Sequence, residues 1–171
     1  KFVLGRARVC LLGSVTSRRK RCNELKPHNA VNRTLSAIAR PVLTAPIVRW
    51  IAMLCLCAAY LQGGLNKAFD FSSAIAEMNH FGLSPAAPFA VATIVMELVA
   101  SALILTGFYR WIGALALAGF TLLATFVALR FWEMQPPERF MAANSFFEHL
   151  GLIGGFLLVA WHDLKQHESS S

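Results

Sequence analysis

The segment Pro85–Phe108 decides the fold: it reads PAAPFAVATIVMELVASALILTGF, and Glu97 is its only charged residue. A helix that spans a bilayer needs roughly 20 mainly apolar residues, because each residue advances the helix by about 1.5 Å. Three other segments meet the same requirement, and they are Ile47–Asn66, Arg110–Phe131 and Phe146–Asp163. The sequence therefore predicts an all-α protein, a transmembrane four-helix bundle.

The composition of the chain agrees with this fold class. Of the 171 residues, 56% are apolar and 15% are charged, whereas a soluble domain has roughly 25% charged residues. The length is that of one domain. The cysteines form no CxxC pair, and no Walker motif, nucleophile elbow or zinc signature occurs. We therefore predict no metal site, and the sequence leaves open whether the protein is an enzyme.

The basic residues are concentrated in one part of the chain. Residues 1–45 hold ten Lys/Arg and one acid, whereas residues 46–171 hold six Lys/Arg and eight acids. Nucleic-acid binding would need basic residues on a folded face, so we expect no nucleic-acid partner. Basic residues before a first span indicate a cytoplasmic amino terminus. Four spans return the carboxyl terminus to that side, and we expect a multi-pass protein of the bacterial cytoplasmic (inner) membrane.

The chain divides into three parts by composition. Residues 1–45 are expected to be a mostly disordered basic extension; alternatively, they form an amphipathic segment on anionic lipid or do not belong to the natural protein. Without this extension the predicted orientation rests on few charges. Residues 46–164 are the four-helix domain, and residues 165–171 are a polar tail.

The connections between the spans also carry predictions. Within the first outer loop, residues 67–84, the stretch Ser72–His80 has helical spacing of its apolar residues, and we predict a short interfacial helix closed by Gly82. The second outer loop, residues 132–145, contains two adjacent prolines and is predicted to be irregular. Ser145 and Glu148 match a capping box at the start of the fourth span.

Glu97 is the first candidate for a functional residue, because a charge inside a bilayer is costly and marks a functional hypothesis. Thr93, Glu97 and Ser101 recur every four residues and are predicted to face inward, as is a stripe of small residues on the third span. Glu97 either fixes helix packing or carries protons or a ligand. The Gly151–Gly155 spacing on the fourth span is predicted to mark packing.

Further polar residues are predicted near the outer end of the bundle. Together with Glu97 they make up a candidate ligand-binding cluster, whose members are Gln62, Asn66, Lys67 and His149. Alternatively, Lys67 pairs with Asp70 at the surface, and His149 faces water. A haem held in the bundle needs two intramembrane ligands such as histidines. Only His149 qualifies, so haem is not expected.

Several short motifs occur in an order and spacing that resembles the DoxX family of small four-helix membrane proteins. These motifs are Gly64-Leu65-Asn66-Lys67, Gly82-Leu83-Ser84-Pro85, Glu97-Leu98 before an exit at Arg110, and His149-Leu150 with Gly154-Gly155. The resemblance covers about residues 46–164. The family often has a His before Phe-Trp at the end of the third helix, where this chain has Arg130.

The resemblance implies a role in redox chemistry, because some members are subunits of a thiosulfate:quinone oxidoreductase and others associate with redox-defence enzymes. It implies a membrane subunit of a redox complex, with a quinone as the candidate cofactor near Glu97, Gln62 and His149. Partner subunits or a second copy of the chain are the expected protein partners. The alternatives are a non-catalytic scaffold and a small-solute carrier, which requires an internal cavity.

Overall fold

The structure is a computed structural model, and it describes residues 34–170, with side chains up to residue 169. Contacts divide the chain into two units between Arg49 and Trp50. Most of the predicted extension, residues 1–33, lies outside the described residues. The described part of the first unit contains helix α1, Thr34–Leu43, in which four apolar side chains are exposed.

Five further α-helices follow in the described part of the chain. They are α2 (Pro46–Phe69), α3 (Phe71–His80), α4 (Ala86–Thr106), α5 (Arg110–Ala128) and α6 (Glu138–Ser170), with a single 3-10 turn at Phe131–Glu133. Four of them, α2, α4, α5 and α6, are long and apolar enough to cross a membrane. The predicted all-α transmembrane four-helix bundle is therefore confirmed.

Small residues bring α4 and α5 close together. A Cβ atom added at Gly113 would lie 2.6 Å from the carbonyl oxygen of Ala100, so only glycine fits at this crossing. The turn that joins the two helices is short, and Gly107 and Tyr109 both have positive φ there, 82° and 50°. The two helices are therefore antiparallel neighbours. The three residues of α4 that are predicted to face inward are buried or half-buried: Thr93, Glu97 and Ser101.

Helix α3 lies against α4, and the predicted short helix is confirmed. The Asp70 carboxylate caps its first turn by accepting a hydrogen bond of 3.0 Å from the backbone N–H of Ser73. Ala74 and Met78 of α3 are buried against Ala90 of α4. The helix ends before Gly82, whose φ of 72° suits a residue without a side chain.

Helix α6 corrects two predictions. It begins at Glu138, not near Phe146, so the second half of the predicted irregular loop is helical. Ser145 lies inside the helix, and the carboxylate of Glu148 accepts a hydrogen bond of 2.5 Å from the Asn144 side chain, so the predicted capping box is wrong. The apolar pattern defines only the part of the helix suited to lipid, whereas residues 138–145 (ERFMAANS) mix polar and apolar residues and include several good helix formers.

A buried carboxylate ties the turn between α4 and α5 to α6. Asp163 Oδ2 accepts the backbone N–H of Trp111 at 3.2 Å, and Oδ1 lies 3.6 Å from Arg110 Nη1. Arg110 Nε also donates to the carbonyl oxygen of Ile104 at 3.0 Å. We call this end of the second unit the Asp163 end and the opposite one, where α2 finishes, the Lys67 end.

Candidate functional site

Two adjacent glycines let α2 approach α4 near the Lys67 end. A Cβ atom added at Gly64 would lie 2.9 Å from the Leu98 side chain, so a larger residue would push the helices apart. One added at Gly63 would meet Glu97 Oε2 at 3.4 Å and Lys67 Nζ at 3.6 Å, which is ordinary contact. The glycine pair therefore brings the carboxylate of α4 next to the last turns of α2.

Lys67 lies between two carboxylates from different helices. Its Nζ is 3.5 Å from Oε1 of Glu97 on α4 and 3.7 Å from Oε2 of Glu77 on α3. The Glu97 side chain is 8% exposed, whereas that of Glu77 is 43% exposed. The ammonium therefore compensates a buried charge on one side and a half-exposed charge on the other.

One oxygen of Glu97 is left without a partner. Oε2 is buried and makes no hydrogen bond to any residue within 34–169. Buried polar atoms nearly always have a hydrogen-bond partner. An unpartnered carboxylate oxygen at this position can hold a proton or accept a hydrogen bond from a water molecule or a ligand.

A cavity of about 590 Å³ that is open on one side lies beside this carboxylate and is lined by residues from helices α2 to α6. Its surface is mainly apolar, with Phe81, Phe89, Phe120 and Leu152 among the residues that line it. The charged lining residues are one cation and two carboxylates, which gives an excess of one negative charge while both carboxyl groups are ionised. The polar residues of the lining are Tyr60, Lys67, Glu77, Thr93, Glu97, Thr121 and His149.

Two hydrogen bonds between side chains of different helices involve residues that line the cavity. The Tyr60 hydroxyl of α2 lies 2.6 Å from Thr121 Oγ1 of α5. One turn later on α5, Thr125 Oγ1 lies 2.8 Å from Nδ1 of His149 on α6. Both threonine side chains are fully or almost fully buried. Three of the spanning helices are therefore linked by polar side chains inside an otherwise apolar contact.

The predicted site residues are distributed as follows. Lys67, Glu97 and His149 line the same cavity, and Lys67 is in contact with Glu97. Asn66 lines a neighbouring pocket of about 540 Å³, which Lys67 also borders. Gln62 is exposed and lines neither of these two cavities. Lys67 pairs with the two glutamates, while Asp70 caps α3.

The Gly151–Gly155 spacing is predicted to mark helix packing, but only Gly155 lies against another of the described helices. A Cβ atom added at Gly155 would lie 3.2 Å from Leu56 of α2, whereas one added at Gly151 would meet nothing within 4 Å. Arg130, which stands where the family often has a His, is exposed and forms an ion pair of 3.2 Å with Glu133.

Three residues at the site lie outside the candidate cluster predicted from the sequence: Glu77 and Tyr60 line the cavity, and Thr125 contacts the lining residue His149. Glu77 is the single acidic residue of the amphipathic helix α3, and this is the sequence feature that could have identified it as a candidate. Tyr60 lies one helical turn before Gly64, on the same face of α2. Thr125 belongs to the predicted inward stripe of α5, but its partner His149 lies 24 residues away, and no local spacing connects them.

Comparison with known proteins supports the resemblance that the motifs indicate. The DoxX family model matches residues 49–130, which include α2 from Arg49 onward, α3, α4 and α5. No curated protein and no solved structure matches the chain significantly. The matched range holds the glycine pair, Lys67 and Glu97, whereas His149 lies outside it. The DoxX resemblance is therefore confirmed over residues 49–130, and this chain is a DoxX-like integral membrane protein.

Proposed function

We propose that this protein is a membrane subunit of a redox complex and binds a quinone-type ligand in the cavity beside Glu97. The observation that carries the proposal is the buried, unpartnered Oε2 of Glu97 at the wall of a largely apolar cavity. Apolar walls with a few converging polar groups are typical of small-molecule sites. The resemblance to a family with quinone-linked members supports the same class of ligand.

The residues of the cavity fit such a ligand. Its volume of about 590 Å³ lies within the range of roughly 300–1,000 Å³ for ligand sites. Phe89 and Phe120 provide apolar faces for a ring. The excess of one negative charge among the lining residues disfavours an anion, and therefore favours a neutral ring over a sulfur oxyanion.

The polar residues have distinct roles in this proposal. A quinone supplies two-electron, two-proton chemistry when it is bound. The ammonium group of Lys67 donates a hydrogen bond to a ligand oxygen, and the carboxyl group of Glu97 holds or releases a proton at Oε2. Glu77, which is half exposed on α3, connects Lys67 with the solvent side and offers a path for that proton.

The environment of the protein is part of the proposal. The apolar surfaces of α2, α4, α5 and α6 support residence in a lipid bilayer. We propose the bacterial inner membrane, with both termini cytoplasmic, from the concentration of Lys/Arg before the first span. Redox-enzyme subunits are the proposed partners, because the DoxX-like part contains no sequence motif of a known electron-transfer centre. A second copy of the chain is a further candidate partner.

Ligand titration of the purified protein tests the proposal. A decyl-tailed 1,4-benzoquinone is titrated into detergent-solubilised protein, with binding followed by isothermal calorimetry. Glu97→Gln keeps the shape of the side chain and removes its charge, so we expect weaker binding by about tenfold, as for a hydrogen bond to a charged group. Glu138→Gln, at an exposed position, is the matched control. An affinity that Glu97→Gln leaves unchanged contradicts the proposed site.

The alternative of a non-catalytic scaffold is favoured by the Lys67–Glu97 ion pair, which joins α2 to α4. A scaffold would lose thermal stability with Glu97→Gln while the variant still complements a deletion strain. A small-solute carrier is the third candidate, since the cavity meets its first requirement. Flux of a solute across protein-containing liposomes would support that candidate.

A further inference from the structure

The hydroxyl group of Thr125 fixes which nitrogen of His149 carries a proton. Thr125 Oγ1 donates its one hydrogen to the carbonyl oxygen of Thr121, at 2.6 Å. A threonine hydroxyl has a single hydrogen and can accept with its lone pairs. At 2.8 Å from the ring, Oγ1 therefore accepts a hydrogen bond from His149, and Nδ1 is the protonated nitrogen.

The other nitrogen of the ring is consequently an acceptor. A neutral imidazole has one N–H group, so a proton on Nδ1 leaves a lone pair on Nε2. His149 lines the cavity, and Nε2 makes no hydrogen bond with another of the described side chains. His149 is therefore a lining residue of the cavity whose Nε2 lone pair is not used by any described side chain.

The hydroxyl groups of Thr121 and Tyr60, which line the same cavity, also use their hydrogens in hydrogen bonds to other protein atoms. Thr121 Oγ1 donates to the carbonyl oxygen of Leu117 at 2.6 Å, so the Tyr60 hydroxyl, 2.6 Å away, donates to Thr121. Tyr60 can then only accept from a ligand. The wall formed by Tyr60 and His149 thus offers acceptors, whereas Lys67, on α2, offers donors.

We infer that this wall selects a ligand group that donates a hydrogen bond, which means a ring hydroxyl in preference to a carbonyl. This inference rests on the proposed function and names the chemical form that the cavity binds: the reduced diol of a quinone pair, not the dione. A hydroxyl donates to Nε2 of His149, whereas a carbonyl oxygen facing the same atom would place two acceptors against each other. The oxygen at the other end of either form accepts from Lys67.

Three ligands and three variants test the inference. The ligands are a decyl-tailed 1,4-benzoquinone, its hydroquinone and the dimethyl ether of that hydroquinone, titrated anaerobically at alkaline pH, where imidazole is neutral. Thr125→Val removes the acceptor of Nδ1 with little change in shape, and His149→Phe removes both nitrogens. Thr106→Val, far from the cavity at the end of α4, is the control. Nitrogen-15 spectra of labelled histidine report the tautomer without any ligand.

We expect the wild-type chain to bind the hydroquinone about fivefold more tightly than the quinone or the ether, the effect of one neutral hydrogen bond. Thr125→Val and His149→Phe should abolish that preference, and Thr106→Val should retain it. The spectrum of wild-type His149, assigned by its loss in His149→Phe, should be that of the Nδ1–H form.

The opposite outcomes separate the inference from the proposed function. Equal affinity for the three ligands, or an Nε2–H tautomer in the wild-type spectrum, overturns the inference while the ligand site stands. A preference that persists in His149→Phe overturns it as well. Failure of all three ligands to bind overturns the proposed function, and the inference with it.

Discussion

Lys67 of α2 and Glu97 of α4 form an ion pair in which Nζ lies 3.5 Å from Oε1, and the two side chains are only 16% and 8% exposed. The pair joins two spanning helices where a glycine pair has removed the side chains between them. Each of these two charges is therefore compensated mainly by the other. Removal of only one of them should destabilise this region more than removal of both.

Removal of one member of the pair should be more harmful than removal of both. Lys67→Met leaves the Glu97 carboxylate without its counter-charge, and we expect a loss of about 3 kcal/mol in the free energy of unfolding. Lys67→Met combined with Glu97→Gln should recover part of that loss. Thermal unfolding in detergent measures both. A double variant no more stable than Lys67→Met would show that Glu97 does not depend on Lys67.

The two adjacent glycines of α2 should respond differently to alanine. Gly64→Ala places a methyl group 2.9 Å from Leu98, and we expect a loss of about 1–3 kcal/mol from overpacking. Gly63→Ala makes only ordinary contacts, so the fold should be retained. Its methyl group covers Glu97 Oε2, and quinone affinity should fall. Thermal unfolding and ligand titration distinguish the two effects, and equal stability of the two variants would contradict this account.

At the Asp163 end, the carboxylate itself should matter for stability. Asp163→Asn removes the counter-charge of Arg110 and weakens the hydrogen bond from Trp111, with an expected loss of about 2 kcal/mol. Glu168→Gln, on the exposed last turns of α6, is the control. The midpoint of thermal unfolding should fall for Asp163→Asn alone. A similar fall for both variants would assign the effect to overall charge.

The amino-terminal cap of α3 should depend on pH. Hydrogen bonds from the Ser72 hydroxyl and from the backbone N–H of Ser73 hold the pKa of Asp70 below its ordinary value. Because the pKa is lowered in the folded state, the cap is fully formed above the ordinary value of about 3.9. Its contribution is lost as the pH falls through the lower, folded value.

Two serine variants distinguish the sources of this shift. Ser72→Ala removes a side-chain donor, and the pKa of Asp70 should rise toward its ordinary value. Ser73→Ala keeps the backbone donor and should leave the pKa low. Carbon-13 titration of the Asp70 carboxyl group in detergent measures both variants. An unchanged pKa in Ser72→Ala would contradict the hydrogen bond between the two side chains.

The spanning helices could be predicted from the sequence because a bilayer imposes a length and an apolar composition that are visible residue by residue. Helix α3 was predictable as well, since its apolar residues recur at helical spacing before Gly82. The early start of α6 was not, because residues 138–145 mix polar and apolar side chains without a long apolar run and lie beside two prolines, a pattern equally typical of a loop. Their helical state follows from continuity with the apolar span behind them.

The candidate site was predictable only in part. Glu97 is conspicuous because a charge in an apolar segment has few explanations, and Lys67 follows from a motif. The contact of Thr125 with His149 requires knowledge of which helix faces which, and the sequence provides no such pairing. Gln62 illustrates the same limit: it is close to Lys67 in sequence, yet it lies on the exposed side of α2.

Helix α6 runs without interruption for 33 residues, a length of about 50 Å against a hydrocarbon core of about 30 Å. His149 and Asp163 both belong to it, about 21 Å apart along the axis at 1.5 Å per residue. No proline occurs in residues 138–170, so one continuous helix carries both the cavity residue His149 and the carboxylate that contacts Arg110. A tilt of α6 would displace both contacts together.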